Sequence, residues 1–147
     1  MKISFAILIL FFSVLAISCS HEPEPINFNS DQCVHCKMTI EDSRFGAEII
    51  STKGKIFKFD AAECMLKYIN KGMISEDNIE KMFVIDFSQP SKLIDAINAT
   101  YLISPNLPSP MGANLSAFLN KISAENQKNS SNGDLYNWNE LKIKFKK

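Results

Sequence analysis

Apolar side chains fill residues 3–17 almost without a break, with Ser4 and Ser13 the only interruptions; beyond them they return only in short, spaced groups. The run follows Lys2 and closes on Leu15-Ala16-Ile17-Ser18-Cys19. It is too short to cross a bilayer comfortably but has the length of a secretory h-region. Small residues ahead of the cysteine suit cleavage there. Residues 1–18 therefore read as a lipoprotein signal, and Cys19 as the lipidated N-terminus of the mature chain. Residues 19–30, with His21, Pro23, Pro25, Asn27 and Asn29, read as a flexible tether.

From Asp31 onward the apolar period changes. Phe45, Ala47, Ile49 and Ile50 predict a strand over 44–51, and Thr52-Lys53-Gly54-Lys55 a turn. The segment 56–59 is the returning strand of a hairpin. Asp60 is a candidate N-cap, with Glu63 three residues on as in a capping box, for a helix over 61–70 that Gly72 stops. The β-branched and aromatic run 81–87 predicts another strand. The second half has a similar order: strands at 93–98 and 100–104, a loop marked by Pro105, Pro108 and Pro110, a helix from Asn114 or Ser116 to about 126, and a polar loop at 127–133. Residues 138–145 read as a helix, a strand, or one after the other. The basic end, Lys142-Ile143-Lys144-Phe145-Lys146-Lys147, alternates as a strand with a solvated face does. Both halves suggest β-β-α-β. The predicted class is α+β, one domain over 31–147 made of two small modules, 31–87 and 88–147.

Charge narrows the function classes. Sixteen basic and sixteen acidic residues balance, and no basic stripe argues for nucleic acid. The sequence has no acid–base dyad, no glycine-rich phosphate loop and no nucleophile with an obvious base, so an enzyme is not expected. Cysteine usage says more. Of four cysteines, lipidation of Cys19 leaves Cys33, Cys36 and Cys64. Three cannot all pair within one exported chain, which points to metal ligation or a reactive role.

The chemistry concentrates in Cys33-Val34-His35-Cys36-Lys37-Met38. A Cys-x-x-Cys spacing suits either a shared metal or a redox disulfide. Redox motifs sit where a strand opens into a helix; this one precedes the first strand and fits a ligand loop better. Zinc would want four ligands, a count that Cys33, Cys36, Cys64 and His35 could meet. Met38 argues instead for Cu(I), since a thioether is a soft ligand that adds little to zinc. Cys64 lies near a helix N-terminus, where a thiolate is stabilised, and reads equally as a ligand or as a small buried apolar residue. Met65, turned about 100° from it on the helix, is not expected to ligate as well. Met111, before Gly112 in the Pro-rich loop, is not placed by helical period and is a candidate third soft ligand. Met73 and Met82 read as core, His21 as incidental, and Asp60 as a cap.

The order Cys-x-x-Cys-x-Met after a lipobox-like signal, then Phe59-Asp60-x-x-Cys64-Met65, then Ser109-Pro110-Met111-Gly112 with Ala117-Phe118, resembles the NosL family, copper-binding accessory lipoproteins of nitrous-oxide reductase. The resemblance runs from Asp31 to at least Phe118. It implies a Cu(I) carrier at the outer membrane, facing the periplasm, that passes copper to the nitrous-oxide reductase assembly machinery, an ABC-type transporter and a periplasmic partner. It also implies two β-β-α-β modules. The family's Cys-Gly-Met element maps onto Cys36-Lys37-Met38 and its Met-Gly element onto Met111-Gly112. Lys37 stands where the family has Gly, although Lys disfavours positive φ. On this reading Cys36 supplies a thiolate and Met38 and Met111 weak thioethers, while Cys33, Cys64 or His35 complete the shell. The alternatives are a general periplasmic copper-handling lipoprotein, a thiol–disulfide protein using Cys33 and Cys36, and a structural lipoprotein with stabilising cysteines.

Overall fold

The computed structural model describes residues 21–146; the expected signal over 1–18 and the lipidation site Cys19 lie outside the described residues. The first hairpin forms as its pattern dictates. Strand β1 (Ala47–Ser51) and β2 (Ile56–Phe59) pair antiparallel with Ile49 opposite Phe57. Gly54 takes φ +75° in the turn, where its N–H donates to Ser51 O at 2.8 Å. Helix α1 (Ala62–Asn70) follows. Its end is a Schellman closure: Gly72, at φ +68°, donates to Ile69 O at 2.9 Å and Met73 N–H to Tyr68 O at 3.1 Å. Its start departs from expectation. Ala61 is the N-cap and no side chain caps it, because Asp60 and Glu63 are both buried and Glu63 is bonded elsewhere.

Strand β3 (Ile79–Ile85) pairs with β1, and β4 (Leu93–Asp95) pairs with β3, giving a four-stranded antiparallel sheet in the order β2-β1-β3-β4. A second sheet has the order β6-β5-β7, from β5 (Thr100–Ile103), β6 (Leu115–Phe118) and β7 (Asp134–Tyr136). Helix α2 (Lys121–Ser131) joins β6 to β7, and α3 (Trp138–Lys144) closes the chain. Each half thus contains β-β-α-β, but the second repeat is β5-β6-α2-β7. The expected first strand of the second module, 93–98, contributes β4 to the first sheet instead. No helix among the described residues is long and apolar enough to cross a membrane.

The second half corrects three further expectations. Residues 115–118 form a strand, not the start of a helix, because Leu115, Ser116, Ala117 and Phe118 are all buried. A strand covered on both faces shows neither a period of 2 nor one of 3.6. The helix starts later, with Asn120 as its cap accepting from Ser123 N–H at 3.0 Å, and runs through the stretch read as a polar loop. The basic C-terminus is helical: Trp138 and Leu141 are buried one turn apart, and Asn137 and Glu140 form a reciprocal capping box. Its alternating Ile143 is 73% exposed and packs against nothing that would hold a strand.

One apolar core spans both sheets, with Phe59, Leu66, Ile85, Tyr101, Leu115 and Leu141 among its buried members. Tyr101 lies 6.1 Å from the Trp138 ring and donates its hydroxyl to Ala96 O at 2.6 Å, tying β5 to α3 and to the loop after β4. From His21 onward the expected tether is fixed to the first sheet. Ile26 is buried in the core, against Gly46, whose φ of +128° and lack of a Cβ leave room for it. Lys58 Nζ donates to Pro25 O at 2.9 Å and to Asp31 Oδ2 at 2.8 Å. Glu48, opposite Lys58 in the β1–β2 ladder, is fully buried, and its Oε1 accepts from Glu24 N–H at 3.1 Å.

Burial pushes the Glu48 carboxyl up from 4.5 to about 7, outweighing the Glu24 N–H and Lys58. The group is neutral in both states below pH 4.5. Between 4.5 and 7 only the unfolded chain ionises, so its contribution to stability falls as pH rises and is lost above 7. Glu48→Gln does not ionise. We expect its advantage over the parent in reducing urea denaturation to grow from pH 4.5 to pH 8 by on the order of 2–3 kcal/mol. An equal difference at both pH values would show that Glu48 is not held as described.

Candidate metal centre

The loop carrying Cys33 and Cys36 is closed on itself by backbone bonds. Gln32 and Thr39 form an isolated bridge, Cys33 N–H donates to Met38 O at 2.9 Å, and Lys37 N–H donates to Cys33 O at 2.9 Å. Val34 N–H donates to Lys58 O at 3.0 Å and pins the loop to β2. Folding back this tightly requires a left-handed residue, and Lys37 supplies it at φ +66°. Lys37 thus adopts the conformation that glycine prefers, at a cost of about 1–2 kcal/mol, and its Nζ returns to Val34 O at 2.8 Å.

Cys64 sits in the first turn of α1, which the β2–α1 connection places beneath this loop. The Sγ atoms of Cys33, Cys36 and Cys64 all lie within 4.8 Å of one another, and all three are free. Cys33 and Cys64 are fully buried, whereas Cys36 is only half-buried. The nearness of the Cys64 thiol pulls the Cys33 thiol down to about 4 against the opposing effect of burial. Backbone N–H groups of Cys36, at 3.5 Å, Asp60 and His35 add to this. Burial pushes the Cys36 thiol up; the bond to Cys33, then burial, pushes Cys64 up. Of the three thiols, Cys33 is the one whose surroundings favour ionisation. Asp60, read as a cap, is instead a buried carboxyl near Cys33. Burial and then the Cys33 charge push it up to about 6.

The other candidates are placed around the trio. Met38 is 53% exposed and lines an open cleft with Lys37, Glu41, Asp60, Ser109 and Pro110. Met111 follows Pro110, the last residue of the second half to line that cleft, and is half-buried against the core that also contains Cys33 and Cys64. His35 lies outside the sulfur group, edge-on to Tyr68 with ring centroids 6.3 Å apart. Burial, and then nearby lysines led by Lys71, hold its pKa down. Among the described residues the group contains three cysteines and no fourth Cys or His, which does not meet the count of a structural zinc site. Three converging sulfurs suit a soft cation at low coordination number.

One contact escaped the sequence reading. Glu63, beside Cys64 in the first turn of α1, is fully buried, and its Oε1 accepts from the Ser109 hydroxyl across the cleft. Its only signal in sequence, the Asp60-x-x-Glu63 spacing, pointed to a helix cap.

A family model, NosL, matches residues 25–145. The fold matches the crystal structure of the copper chaperone NosL from Shewanella denitrificans with a TM-score of 0.71. The match is at 20% identity and covers 82% of this chain and 96% of that one. No curated protein gives a significant match.

The strained Lys37 makes a sharp expectation. Lys37→Val, β-branched at positive φ, should lower the stability of the reduced protein by about 1–2 kcal/mol beyond any effect of lost charge. Lys37→Gly should remain within about 1 kcal/mol of the parent, strain relief offsetting glycine's entropy. Thermal denaturation of both variants checks this; equal stability of the two would mean that the loop is not left-handed at 37.

Proposed function

The chain belongs to the NosL family, and on that premise we propose that it is a lipid-anchored copper chaperone that carries Cu(I) for the maturation of nitrous-oxide reductase. The observation that carries the reading is the convergence of three cysteine sulfurs within 4.8 Å, two of them buried. Thiolate sulfur at low coordination number selects Cu(I) among available metals. Cys33, the thiol whose surroundings favour ionisation, is the readiest to bind as thiolate. In this reading Cys36, the least buried of the three cysteines, is where ligand exchange begins. Met38 and Met111 stand at the mouth as neutral, weakly held ligands that let the cargo leave.

The same geometry disfavours a thiol–disulfide enzyme. The activated thiolate of such a protein must reach a partner disulfide, whereas Cys33 is completely covered. We further propose that Cys19 bears the lipid, that the anchor is at the outer membrane facing the periplasm, and that copper passes to an ABC-type transporter and a periplasmic partner. The nearness of the described N-terminus to the first sheet supports a short distance between membrane and domain: residues from His21 on are bonded to β2 and β3.

Competition for Cu(I) against a chromophoric chelator, on reduced protein, tests the binding. Cys36→Ala should weaken binding by at least about 100-fold and Met111→Ala by about tenfold, a ligand mattering more than the groups behind it. Unchanged affinity in both variants would reject the function. Copper-poor nitrous-oxide reductase in cells lacking the protein, and loss of palmitate labelling in Cys19→Ala, are the expected outcomes for delivery and anchoring.

A further inference from the structure

Glu63 has no role in holding the cysteines, yet burying a carboxylate is costly and its position is specific. Its Oε1 accepts from Ser109, itself buried, while Oε2 has no partner among the described residues. Met111 lies two residues beyond Ser109. The segment Ser109-Pro110-Met111-Gly112 is a turn closed by Gly112 N–H donating to Ser109 O at 3.0 Å. Proline follows the first residue, as such turns favour. One carboxylate therefore holds the first residue of the turn that presents Met111. That carboxylate belongs to the residue immediately before Cys64.

We propose that Glu63 is a positioning residue for metal transfer: through Ser109 it bolts the Met111 turn of the second half to the cysteine-bearing turn of α1. This deepens the preceding reading and rests on it. Met111 comes from a loop between β5 and β6, and the three cysteines come from the first half of the chain. Without a fixed link the thioether would pay the full entropy of a mobile loop each time it met the metal. A hydroxyl bonded to a buried acceptor supplies that link and excludes water from it. The carboxylate does not touch the metal; it sets where Met111 stands.

A double-mutant cycle tests this. In reduced protein Ser109→Ala should keep the fold, as judged by circular dichroism, and weaken Cu(I) binding about tenfold, the scale of a group supporting a ligand. In a Met111→Ala background the same change should cost less than about twofold, since the residue it positions is gone. Ser109→Thr, which retains the hydroxyl, should restore most of the affinity. Equal losses in both backgrounds, or no loss in either, would overturn the proposal. Hydrogen exchange on the unmodified protein needs no variant: the Gly112 amide, which closes the turn on Ser109, should be protected before copper is added, and free exchange there would also overturn it. Protein that binds no Cu(I), or binds it without Cys36, defeats the function proposed above. Protein that binds through its cysteines yet ignores Ser109 defeats this inference alone.

Discussion

The close approach of the 33–38 loop to the first turn of α1 is the constraint on which the rest of the structure turns. Three sulfurs within 4.8 Å, two of them sealed from water, are unfavourable company unless charge and hydrogen bonds are shared among them. Here the sharing is built in. Cys64 lies close against Cys33, and backbone N–H groups of the same loop and of Asp60 also favour the ionised Cys33. Each donor is held by an element with its own reason to be there. The loop is pinned to β2 by Val34, and β2 to the core by Phe59. The helix is packed by Leu66 and Met65 and stopped by Gly72. The site is thus a by-product of a tight β2–α1 connection whose apolar side is buried and whose sulfur side meets a strained loop.

The second half completes this arrangement. Its sheet shares the core of the first, through Tyr101, Leu115, Trp138 and Leu141. That shared core brings the β5–β6 loop to the lip of the cleft where Met38 stands. Apolar packing fixes the two sheets to within a side chain's width; the Glu63–Ser109 bond fixes the loop more finely. Directional bonds on top of non-directional packing are what a metal carrier requires, because ligand geometry matters at the scale of an ångström while the hydrophobic effect does not discriminate at that scale.

How much of this was legible follows from the kind of signal each residue carried. The hairpin, α1 and the β5 strand have periodic patterns and turn residues that act locally, and their expected ranges differ from the structure by a few residues at most. Strand β6 carries no such signal, since burial on both faces erases period. Strand β4 joins the first sheet by pairing with β3, a tertiary fact that no local pattern carries. The C-terminal alternation suggested a strand, but the buried pair Trp138 and Leu141, one turn apart, decided for a helix. Residues 21–30 looked like a tether by composition, yet Ile26 and the Lys58 bonds hold them to the sheet. Asp60 and Glu63 mimicked a capping box because spacing alone does not reveal that both carboxylates are buried.

The sequence by itself determined the donor types, the Cys-x-x-Cys-x-Met spacing, the position of Cys64 on a helix and the α+β class, since these depend on residue chemistry and short-range geometry. Only the tertiary structure decided that Cys64 joins Cys33 and Cys36, that His35 stands outside the group, and that a glutamate reaches Ser109 at the start of the Met111 turn. Those outcomes depend on which atoms lose water and what they face when they do, and burial is a property of the whole folded chain that no local pattern encodes.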